Sequence, residues 1–522
     1  MTLRTRRIIF YTFTLLFIIV GLGVVFYSQG WRINIQNCKI KSLPRSEDLF
    51  LLRGLKGCRV VFQKTGAIFI ETQPKGVVIK IDEKTFKDKS GLIQSGTLIS
   101  DLLPKTYRLK VEKSGYLPWV KNALVKSSLV TEFPKIVLIP EKTEKKLVIL
   151  PKTINNFWLN SQQKIVFKNK ENLYFYPSLA ETEEKILIQP NKLKGDEFIS
   201  WSGDNNKIIV RDSKNQTYYL YEINNLSKTF NINATFNNFK KASIDEVAFY
   251  PLESNRLIIR DKNNFLYILD TNRFQLENIT KEPVLSWTIK SPNLYYIKKT
   301  RNTRGSDQRV IRGSFADQRE SVYILVSFNL ITKTNNFNIE LPSQLINQEI
   351  LEILEINASG NKIALLTKNG SLYLFNQITQ NFNQIAHSAE KFIFSPDNKK
   401  IAFLDKDGKL NIYFLEDYQR GIQKKAGEVI SFDFYMGGSE AKALLPPRGM
   451  IVKNIFWYKD SHHLFVDYLD SDGIKKVDFV EIDDRPPINK YTLFEGVSNF
   501  YYEPITNRLY FIKESKPYFV EF

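Results

Sequence analysis

The chain has 522 residues, of which 43% are hydrophobic and 25% are charged, so its composition is that of folded protein with two or more cores and excludes a disordered chain. Its 74 Lys and Arg residues outnumber 55 Asp and Glu residues and leave a formal net charge of +19. This charge favours polyanionic surroundings such as nucleic acid, acidic glycans or anionic lipid, and lysines spread over the whole surface are the alternative to a dedicated anion site.

The N-terminus predicts a membrane anchor. Residues 8–27, IIFYTFTLLFIIVGLGVVFY, contain no charged residue, and at about 1.5 Å per residue they span roughly the 30 Å hydrocarbon core. Because Arg4, Arg6 and Arg7 precede this run, we expect residues 1–7 in the cytoplasm and the bulk of the chain outside the cytoplasmic membrane. A cleaved signal peptide is the alternative, but the run is long for one and YSQGW lacks small residues at cleavage spacing.

A juxtamembrane segment, residues 28–65, follows the anchor and contains both cysteines of the chain, Cys38 and Cys58. Outside the membrane these two thiols are candidates for a disulfide that closes a small loop, and two free or buried thiols are the alternative. Neither cysteine has neighbours that suggest a metal site.

Residues 66–140 predict a small all-β domain. The stretches AIFIET and VVIKID alternate apolar and polar residues on either side of Pro74-Lys75-Gly76, which is typical of a hairpin with proline and glycine at its turn. The alternation returns from Tyr107 in YRLKVE, and Gly115-Tyr116 with Trp119 supplies a second turn and aromatic cover for a core.

This domain resembles the PEGA family, a small β-sandwich-like module named after a Pro-Glu-Gly-Ala turn. That turn reads Pro74-Lys75-Gly76-Val77 here, and the family's later strand and turn are matched by Leu103-Pro104, Tyr107, Leu109, Val111, Lys113 and Gly115-Tyr116. Two of the four turn residues differ, and the glycine usually found before the tyrosine is absent at Lys105-Thr106. The resemblance implies an extracytoplasmic envelope role and no catalytic residues.

A repeated hairpin fills the rest of the chain, residues 145–522. In FSPDNKKIAF, Phe394 precedes the strand residue Ile401 by seven positions. The same spacing, or one residue more, recurs at Trp158/Ile165, Trp201/Ile208, Phe249/Leu257, Trp287/Leu294, Ile356/Ile363, Trp457/Leu464 and Tyr501/Leu509. Antiparallel repeats of roughly 40 residues predict a β-propeller. The copies resemble WD40-like or TolB-type blades, and eight blades are favoured over seven.

The two ends of the repeat region predict how the propeller closes. The final YFVEF would be the third strand of the last blade, while KKLVIL at 145–150 has no other strand role. Pairing of the two segments would complete the last blade and remove open sheet edges.

Two long interruptions predict a partner-binding face. Residues 299–320 use arginine where the chain otherwise favours lysine, and residues 437–452 separate two repeats. The first lies between the second and third strands of a blade and the second between two blades, so both should leave the same face of the propeller. Neutral insertions are the alternative. The candidate binding residues are Arg301, Arg304, Arg309, Arg312 and Arg319.

The sequence supplies no catalytic motif, cofactor motif or metal motif. Asp204, Asp397 and Asp460 occupy turns where aspartate caps the backbone. The adjacent His462 and His463 should point to opposite faces of a strand. The carboxylate pairs Asp470–Asp472 and Asp483-Asp484 are consistent both with a site of paired acids and with solvated turn charges. We therefore expect no enzyme, no cofactor and no metal.

Nearly the whole chain resembles membrane-anchored PEGA-plus-propeller envelope proteins of bacteria with reduced genomes. This resemblance implies an anchored scaffold that binds envelope protein or cell-wall polymer. Two alternatives are an extracytoplasmic glycan-active enzyme with carboxylates in the propeller channel and a receptor for a polyanion such as DNA or an acidic glycan.

Overall fold

The structure is a computed structural model. It describes residues 3–28, 30–36, 59–90, 95–148, 150, 153–162, 164–177, 190–301, 321–342, 345, 350–355, 361–432, 451–470 and 472–522. Cys38 and Cys58 lie outside the described residues.

The chain forms two compact units that each combine three stretches of sequence. Unit 1 consists of Met1–Thr143, Asp417–Ala426 and Val480–Tyr491. Unit 2 consists of Glu144–Glu416, Gly427–Phe479 and Thr492–Phe522.

Unit 1 begins with helix α1 (Leu3–Ser28), whose side chains are almost all exposed. From Arg4 to Ser28 this helix is long and apolar enough to cross a membrane. It contains the predicted anchor at residues 8–27, and it fits a membrane span or a signal anchor.

The remainder of unit 1 contains a two-stranded sheet and two larger sheets. The two larger sheets share one hydrophobic core. Its strands are β1 (Trp31–Gln36), β2 (Arg59–Lys64), β3 (Gly66–Gln73), β4 (Val78–Ile81), β5 (Lys84–Lys87), β6 (Thr97–Leu102), β7 (Thr106–Glu112), β8 (Trp119–Leu124) and β9 (Val130–Val137). One sheet has the order β6-β3-β9 and the other β5-β4-β7-β8, while β1 pairs with β2. Alternate side chains of both sheets, such as Ile68, Ile79 and Leu109, fill the space between them, as expected of a two-layer sandwich.

The turn after β3 is held by a half-buried hydrogen-bond network around Asp88. Gly76 takes a positive φ of 74°, which glycine adopts without steric cost, and its N–H donates to Asp88 Oδ2 at 2.8 Å. Asp88 also accepts from Ser90 N at 2.8 Å and Thr97 Oγ1 at 2.9 Å. Burial opposes ionisation, but these hydrogen bonds outweigh it and lower the pKa of Asp88 to about 2. The resemblance of this turn to PEGA domains stays a prediction.

Within the described residues, unit 2 is built around eight four-stranded antiparallel sheets, numbered here in chain order. Sheet 1 comprises β11 (Asn156–Leu159), β12 (Ile165–Asn169), β13 (Asn172–Tyr176) and β14 (Asn191–Lys192). Sheet 2 comprises β15 (Glu197–Trp201), β16 (Lys207–Asp212), β17 (Thr217–Glu222) and β18 (Asn225–Asn231). Sheet 3 comprises β19 (Ile244–Phe249), β20 (Arg256–Asp261), β21 (Leu266–Asp270) and β22 (Gln275–Asn278). Sheet 4 comprises β23 (Val284–Lys290), β24 (Asn293–Arg301), β25 (Ser321–Asn329) and β26 (Thr334–Glu340).

The other four sheets repeat this order. Sheet 5 comprises β27 (Ile350–Glu355), β28 (Lys362–Thr367), β29 (Leu372–Asn376) and β30 (Asn381–Ala386). Sheet 6 comprises β31 (Ala389–Phe394), β32 (Lys400–Asp405), β33 (Leu410–Phe414) and β34 (Val429–Phe432). Sheet 7 comprises β35 (Ile451–Trp457), β36 (His463–Leu469), β37 (Lys475–Glu481) and β38 (Lys490–Glu495). Sheet 8 comprises β39 (Ser498–Glu503), β40 (Arg508–Lys513), β41 (Lys516–Glu521) and the early strand β10 (Lys146–Leu147).

Consecutive sheets pack face to face, and the last packs against the first. Shared hydrophobic clusters join sheets 1 and 2, 2 and 3, 3 and 4, 4 and 5, and 5 and 6. Trp457 Nε1 donates to Ile393 O at 3.4 Å between sheets 7 and 6, and Phe456 and Phe500 lie 4.8 Å apart between sheets 7 and 8. A further cluster contains side chains of sheets 8 and 1. This cyclic order of antiparallel sheets is the arrangement of a β-propeller.

The predicted pairing between the start and the end of the repeat region is confirmed. Strand β10 pairs antiparallel with β41, with Lys146 opposite Phe519 and Leu147 opposite Tyr518. It forms the fourth strand of sheet 8 and covers an edge that β41 would otherwise expose.

The predicted spacing of anchor and strand reflects direct cross-strand pairing in part of the repeats. Trp201 faces Ile208, Phe394 faces Ile401 and Trp457 faces Leu464. Trp287 instead faces Tyr296, because only Ser291 and Pro292 separate β23 from β24 and the hairpin is shorter.

One helix in unit 2 was not predicted. Helix α2 (Ile232–Phe239) joins sheet 2 to sheet 3 and buries Ile232 and Phe236. Asn231 caps its N-terminus, since its side chain accepts from Ala234 N at 3.0 Å. The all-β prediction missed this helix because it is short and rich in asparagine.

Loss of the Phe519 side chain, which packs in the hydrophobic cluster between sheets 8 and 1, should destabilise unit 2. Phe519 is 3% exposed and its ring lies 5.7 Å from that of Tyr510. We expect Phe519→Ala to lower the free energy of unfolding by about 3–5 kcal/mol because it leaves a cavity, measured by urea denaturation in detergent. Ile505→Ala is the control, since Ile505 is 79% exposed and the expected change is below about 0.5 kcal/mol. Equal effects of the two substitutions would contradict the assigned closure.

The Asp88 network predicts a pH dependence. The folded-state pKa lies below the unfolded value, so the carboxylate stabilises the fold above about pH 4, and this contribution disappears as the pH falls towards about 2. We therefore expect Asp88→Asn to melt at a lower temperature than the wild type at pH 7, with a difference that shrinks between pH 4 and pH 2. Glu83→Gln, at an exposed neighbouring turn, should show no such trend. A pH-independent difference for Asp88→Asn would refute this role.

Candidate functional site

The predicted loops, residues 299–320 and 437–452, overlap strands at 299–301 and 451–452, and the connections between the strands lie outside the described residues. The strands that border them end or begin at equivalent ends of their sheets. Residues 302–320 connect the second and third strands of sheet 4, and residues 433–450 connect the fourth strand of sheet 6 to the first strand of sheet 7. In antiparallel sheets packed in a ring these ends lie on one side, which we call the upper face. Arg301 is the last residue of β24, whereas Arg304, Arg309, Arg312 and Arg319 lie outside the described residues.

The upper face also carries a lysine cluster where sheets 6 and 7 meet. Lys391 and Lys453 occupy the third positions of β31 and β35, and Lys475 begins β37. Lys391 Nζ donates to Lys453 O at 2.7 Å and to Asn454 Oδ1 at 3.2 Å. Lys391 and Lys453 are exposed, and Lys475 is half-buried.

These lysines surround the buried carboxyl group of Asp467. Asp467 is 3% exposed, and Asn454 Nδ2 donates to its Oδ2 at 3.0 Å. Burial raises the pKa of Asp467, although the hydrogen bond from Asn454 and the charges of Lys475, Lys391 and Lys453 oppose the increase. The cluster is therefore cationic towards solvent, and its one acid lies beneath the lysines.

The turn aspartates have the structural role expected of them. Each side chain accepts a hydrogen bond from the backbone N–H two residues later, at Asn206 (3.1 Å), Lys399 (3.1 Å) and His462 (2.8 Å). In two of the turns a serine hydroxyl also donates to the aspartate, Ser202 to Asp204 and Ser395 to Asp397. Asp204, Asp397 and Asp460 are thus committed to shaping their turns.

The histidine pair is held by one of these aspartates. His463 Nδ1 lies 2.7 Å from Asp460 Oδ2, and His462 Nδ1 lies 2.7 Å from Asp460 O. The His463 ring stacks on Phe479 at 4.7 Å. Burial lowers the pKa of His462 to about 4, so this imidazole is neutral at pH 7. Across the described part of the chain, no group of three or more His, Cys, Asp and Glu residues has a geometry suited to a metal ion.

Unit 1 contains a buried polar cluster that the sequence analysis missed. Lys121 is 0% exposed, and its Nζ donates to the backbone oxygens of Asp483 and Arg485 at 2.7 Å each. The carboxylate of Glu481 lies 3.3 Å from the same nitrogen. Glu481 Oε2 also accepts from Trp119 Nε1 at 3.2 Å and Asn489 Nδ2 at 2.8 Å. Every polar atom named here therefore has a partner, as a buried charge requires.

Arg485 completes this cluster. Its guanidinium group lies 3.9 Å from the centre of the Phe133 ring and forms an ion pair with Asp483 at 2.5 Å. Burial opposes ionisation of Asp483, but hydrogen bonds from Arg485 and the charge of Lys121 outweigh it and lower the pKa of this carboxyl. Asp483 is 6% exposed, so of the two alternatives left open for Asp483-Asp484, a solvated turn charge does not apply to Asp483.

A groove of about 570 Å³ lies beside this cluster in unit 1. Its apolar wall includes Leu124, Leu129 and Val130, and its polar wall includes Lys424 and Asp484. The two polar side chains are paired at 2.7 Å, so the exposed apolar side chains are the feature that a ligand would meet.

Comparison with known proteins gives structural neighbours only. No protein-family model matches the sequence, and no curated protein matches it. The chain is similar to the Cps50 (Swd1) β-propeller domain of Myceliophteria thermophila at 10% identity and a TM-score of 0.36, covering 64% of this chain and 98% of that one. It is also similar to the C-terminal WD40 domain of Sif2 at 12% identity and a TM-score of 0.42, covering 72% and 98%. The description of unit 2 as a β-propeller rests on its own strand pairing and ring order.

Removal of the Lys121 ammonium group should destabilise unit 1 strongly. Lys121→Ala would leave the carboxylates of Glu481 and Asp483 buried with one cation fewer, and we expect a loss of about 3–5 kcal/mol in the free energy of unfolding by urea denaturation. Lys80→Ala is the matched control, because Lys80 pairs with Glu112 at the surface and exposed pairs contribute about 0.2–1 kcal/mol. A loss for Lys121→Ala no larger than for Lys80→Ala would contradict this account.

Proposed function

We propose that the protein is a single-pass, membrane-anchored scaffold that binds an extracytoplasmic partner through the upper face of an eight-bladed propeller. Each of the eight sheets of unit 2 is one blade, and residues 66–140 form a PEGA-like module. The bound partner is an envelope protein or a cell-wall polymer. The eight four-stranded sheets among the described residues support this blade count over seven.

The anchor is the apolar helix α1. Its length and composition suit a membrane span, and Arg4, Arg6 and Arg7 place the N-terminus in the cytoplasm by the positive-inside rule. On this arrangement units 1 and 2 are extracytoplasmic.

The proposal is supported by the ends of the strands that border the two loops and by the lysine cluster, all of which lie at the upper face. The strands that border residues 302–320 and 433–450 begin or end at the upper face, where Lys391, Lys453 and Lys475 lie. Long loops on a rigid scaffold commonly carry binding function. The arginines of the first loop add positive charge, so the binding surface of the partner is acidic.

Binding is favoured over glycan hydrolysis by the surroundings of Asp467. Hydrolysis of a glycosidic bond generally uses two carboxyl groups on either side of the bond. Among the described residues, the groups that set the pKa of Asp467 are an amide and three lysines, an arrangement that attracts an anion and does not supply a second acid.

The test is a pull-down of envelope proteins, cell-wall polymer and DNA with the full-length protein in detergent, at low and high salt. We expect retention of one envelope component at high salt, and loss of that component when residues 302–320 and 433–450 are replaced by short Gly-Ser linkers. The control replaces residues 178–189, which connect the third and fourth strands of sheet 1 and so leave the opposite face.

Two outcomes would contradict the proposal. Unchanged binding after both replacements would exclude the loops as the contact. Retention of every polyanion at low salt only would show a general charge effect and favour the polyanion receptor, since such binding weakens steeply as salt rises.

A further inference from the structure

The exit of helix α1 is bonded directly to a turn of the β-sandwich in unit 1. Gly30 N donates to Tyr27 O at 3.1 Å, Thr65 N to Gly30 O at 2.8 Å, and Ser128 N to Thr65 O at 2.9 Å. These three backbone hydrogen bonds connect the last turn of the helix to residues 125–129. The turn at residues 125–129 is therefore linked through Thr65 and Gly30 to Tyr27, in the last turn of the helix.

The helix exit has the composition of a membrane–water interface. The guanidinium group of Arg32 lies 3.7 Å from the centre of the Tyr27 ring, Trp31 contacts Phe26 edge to face at 6.2 Å, and Lys64 Nζ lies 5.4 Å from the centre of the Trp31 ring. Tyrosine, tryptophan and long cationic side chains are enriched at the level of lipid headgroups. Residues 27–32 thus mark the level of the bilayer surface.

Large apolar side chains are exposed at this same end of the sandwich. Leu124 is 52% exposed, Leu129 53% and Val130 48%, and all three line the groove of unit 1 together with Lys126. Thr131 Oγ1 donates to Leu124 O at 2.6 Å, which brings the end of β8 to the start of β9. We call Leu124, Lys126, Leu129 and Val130 the rim.

The rim is held firmly by its backbone. Leu129 N donates to Lys126 O at 3.3 Å within the turn, and Ala67 N donates to Leu129 O at 3.0 Å. A Cβ atom at Gly66 would lie 2.9 Å from Leu129 O, so only glycine lets β3 begin directly beneath the turn. The apolar side chains are consequently fixed in an exposed position, where water is an unfavourable neighbour.

We propose that the rim rests in the interfacial layer of the bilayer that holds helix α1. Leu129 and Val130 contact the glycerol and upper acyl region of the phospholipids, and the Lys126 ammonium group lies at the level of the phosphates. The occupant of the exposed apolar surface is thus a lipid surface. This inference rests on the proposed membrane anchor, because the helix fixes the distance between the rim and the bilayer.

The test measures how deeply single nitroxide labels lie in the membrane. Full-length protein in phospholipid nanodiscs carries one label after Cys38→Ser and Cys58→Ser, placed by Leu129→Cys, by Phe26→Cys in the helix, or by Ser114→Cys at an exposed turn at the other end of the sandwich. Electron paramagnetic resonance compares collisions with oxygen, which concentrates in lipid, against those with a water-soluble nickel chelate.

We expect the labels at the three positions to differ in their depth in the membrane. Position 26 should be lipid-exposed, position 114 water-exposed, and position 129 intermediate, with an oxygen-to-nickel ratio several-fold above that of position 114. A double variant Leu129→Ser/Val130→Ser with a label from Lys126→Cys should shift that label towards water relative to the same label on the unsubstituted rim.

Three results would overturn the inference. Water-like accessibility at position 129 with lipid exposure at position 26 would refute the rim and leave the anchor intact. Shielding of position 129 from both reagents would indicate protein as the occupant. Water exposure at position 26 would refute the anchor and the rim together.

Discussion

The pairing of β10 with β41 is the contact on which the ring order of unit 2 depends. The other seven sheets each take four strands from one continuous stretch, whereas sheet 8 takes its fourth strand from residues 146–147, more than 300 positions away in the chain. Without this strand, β41 would present its unpaired backbone groups to solvent. The hydrophobic cluster between sheets 8 and 1 contains Phe519 from β41 together with Val148, which directly follows β10, so strand pairing and core packing support the same closure.

The repeats and the apolar N-terminal helix could be predicted from the sequence because each is a local pattern. The pairing of β10 with β41 followed from the repeats, which left β10 without another strand role. A tryptophan or phenylalanine seven residues before an apolar strand marks one hairpin, and at Trp201, Phe394 and Trp457 the two marked residues are direct cross-strand partners. At Trp287 the residue seven positions later is not the cross-strand partner, because a two-residue connection shortens the hairpin. Local patterns thus identify a hairpin more reliably than its register, which depends on the turn.

The buried cluster of unit 1 could not be predicted for the opposite reason. Lys121 and Asp483 are 362 positions apart, and each looks like an ordinary surface charge in its own sequence context. Only the tertiary fold shows that the Lys121 ammonium group has lost its contact with water and that Glu481, Asp483 and two backbone oxygens replace the lost hydration. The arginines of residues 299–320 form a local sequence pattern, but the lysines around Asp467 come from three separate strands and show no pattern along the chain.

The division of unit 1 among three stretches of sequence has a consequence for biosynthesis. Lys121 is made long before its acidic neighbours, and at about 5–20 residues per second the 362 positions between Lys121 and Asp483 take about 20–70 s to synthesise. Throughout this interval the new β-sandwich has the members of its hydrophobic core, which all lie between residues 68 and 138, but the Lys121 ammonium group lacks its acidic partners. A chaperone that binds during this interval would meet unit 1 in this state, before residues 480–491 have been made.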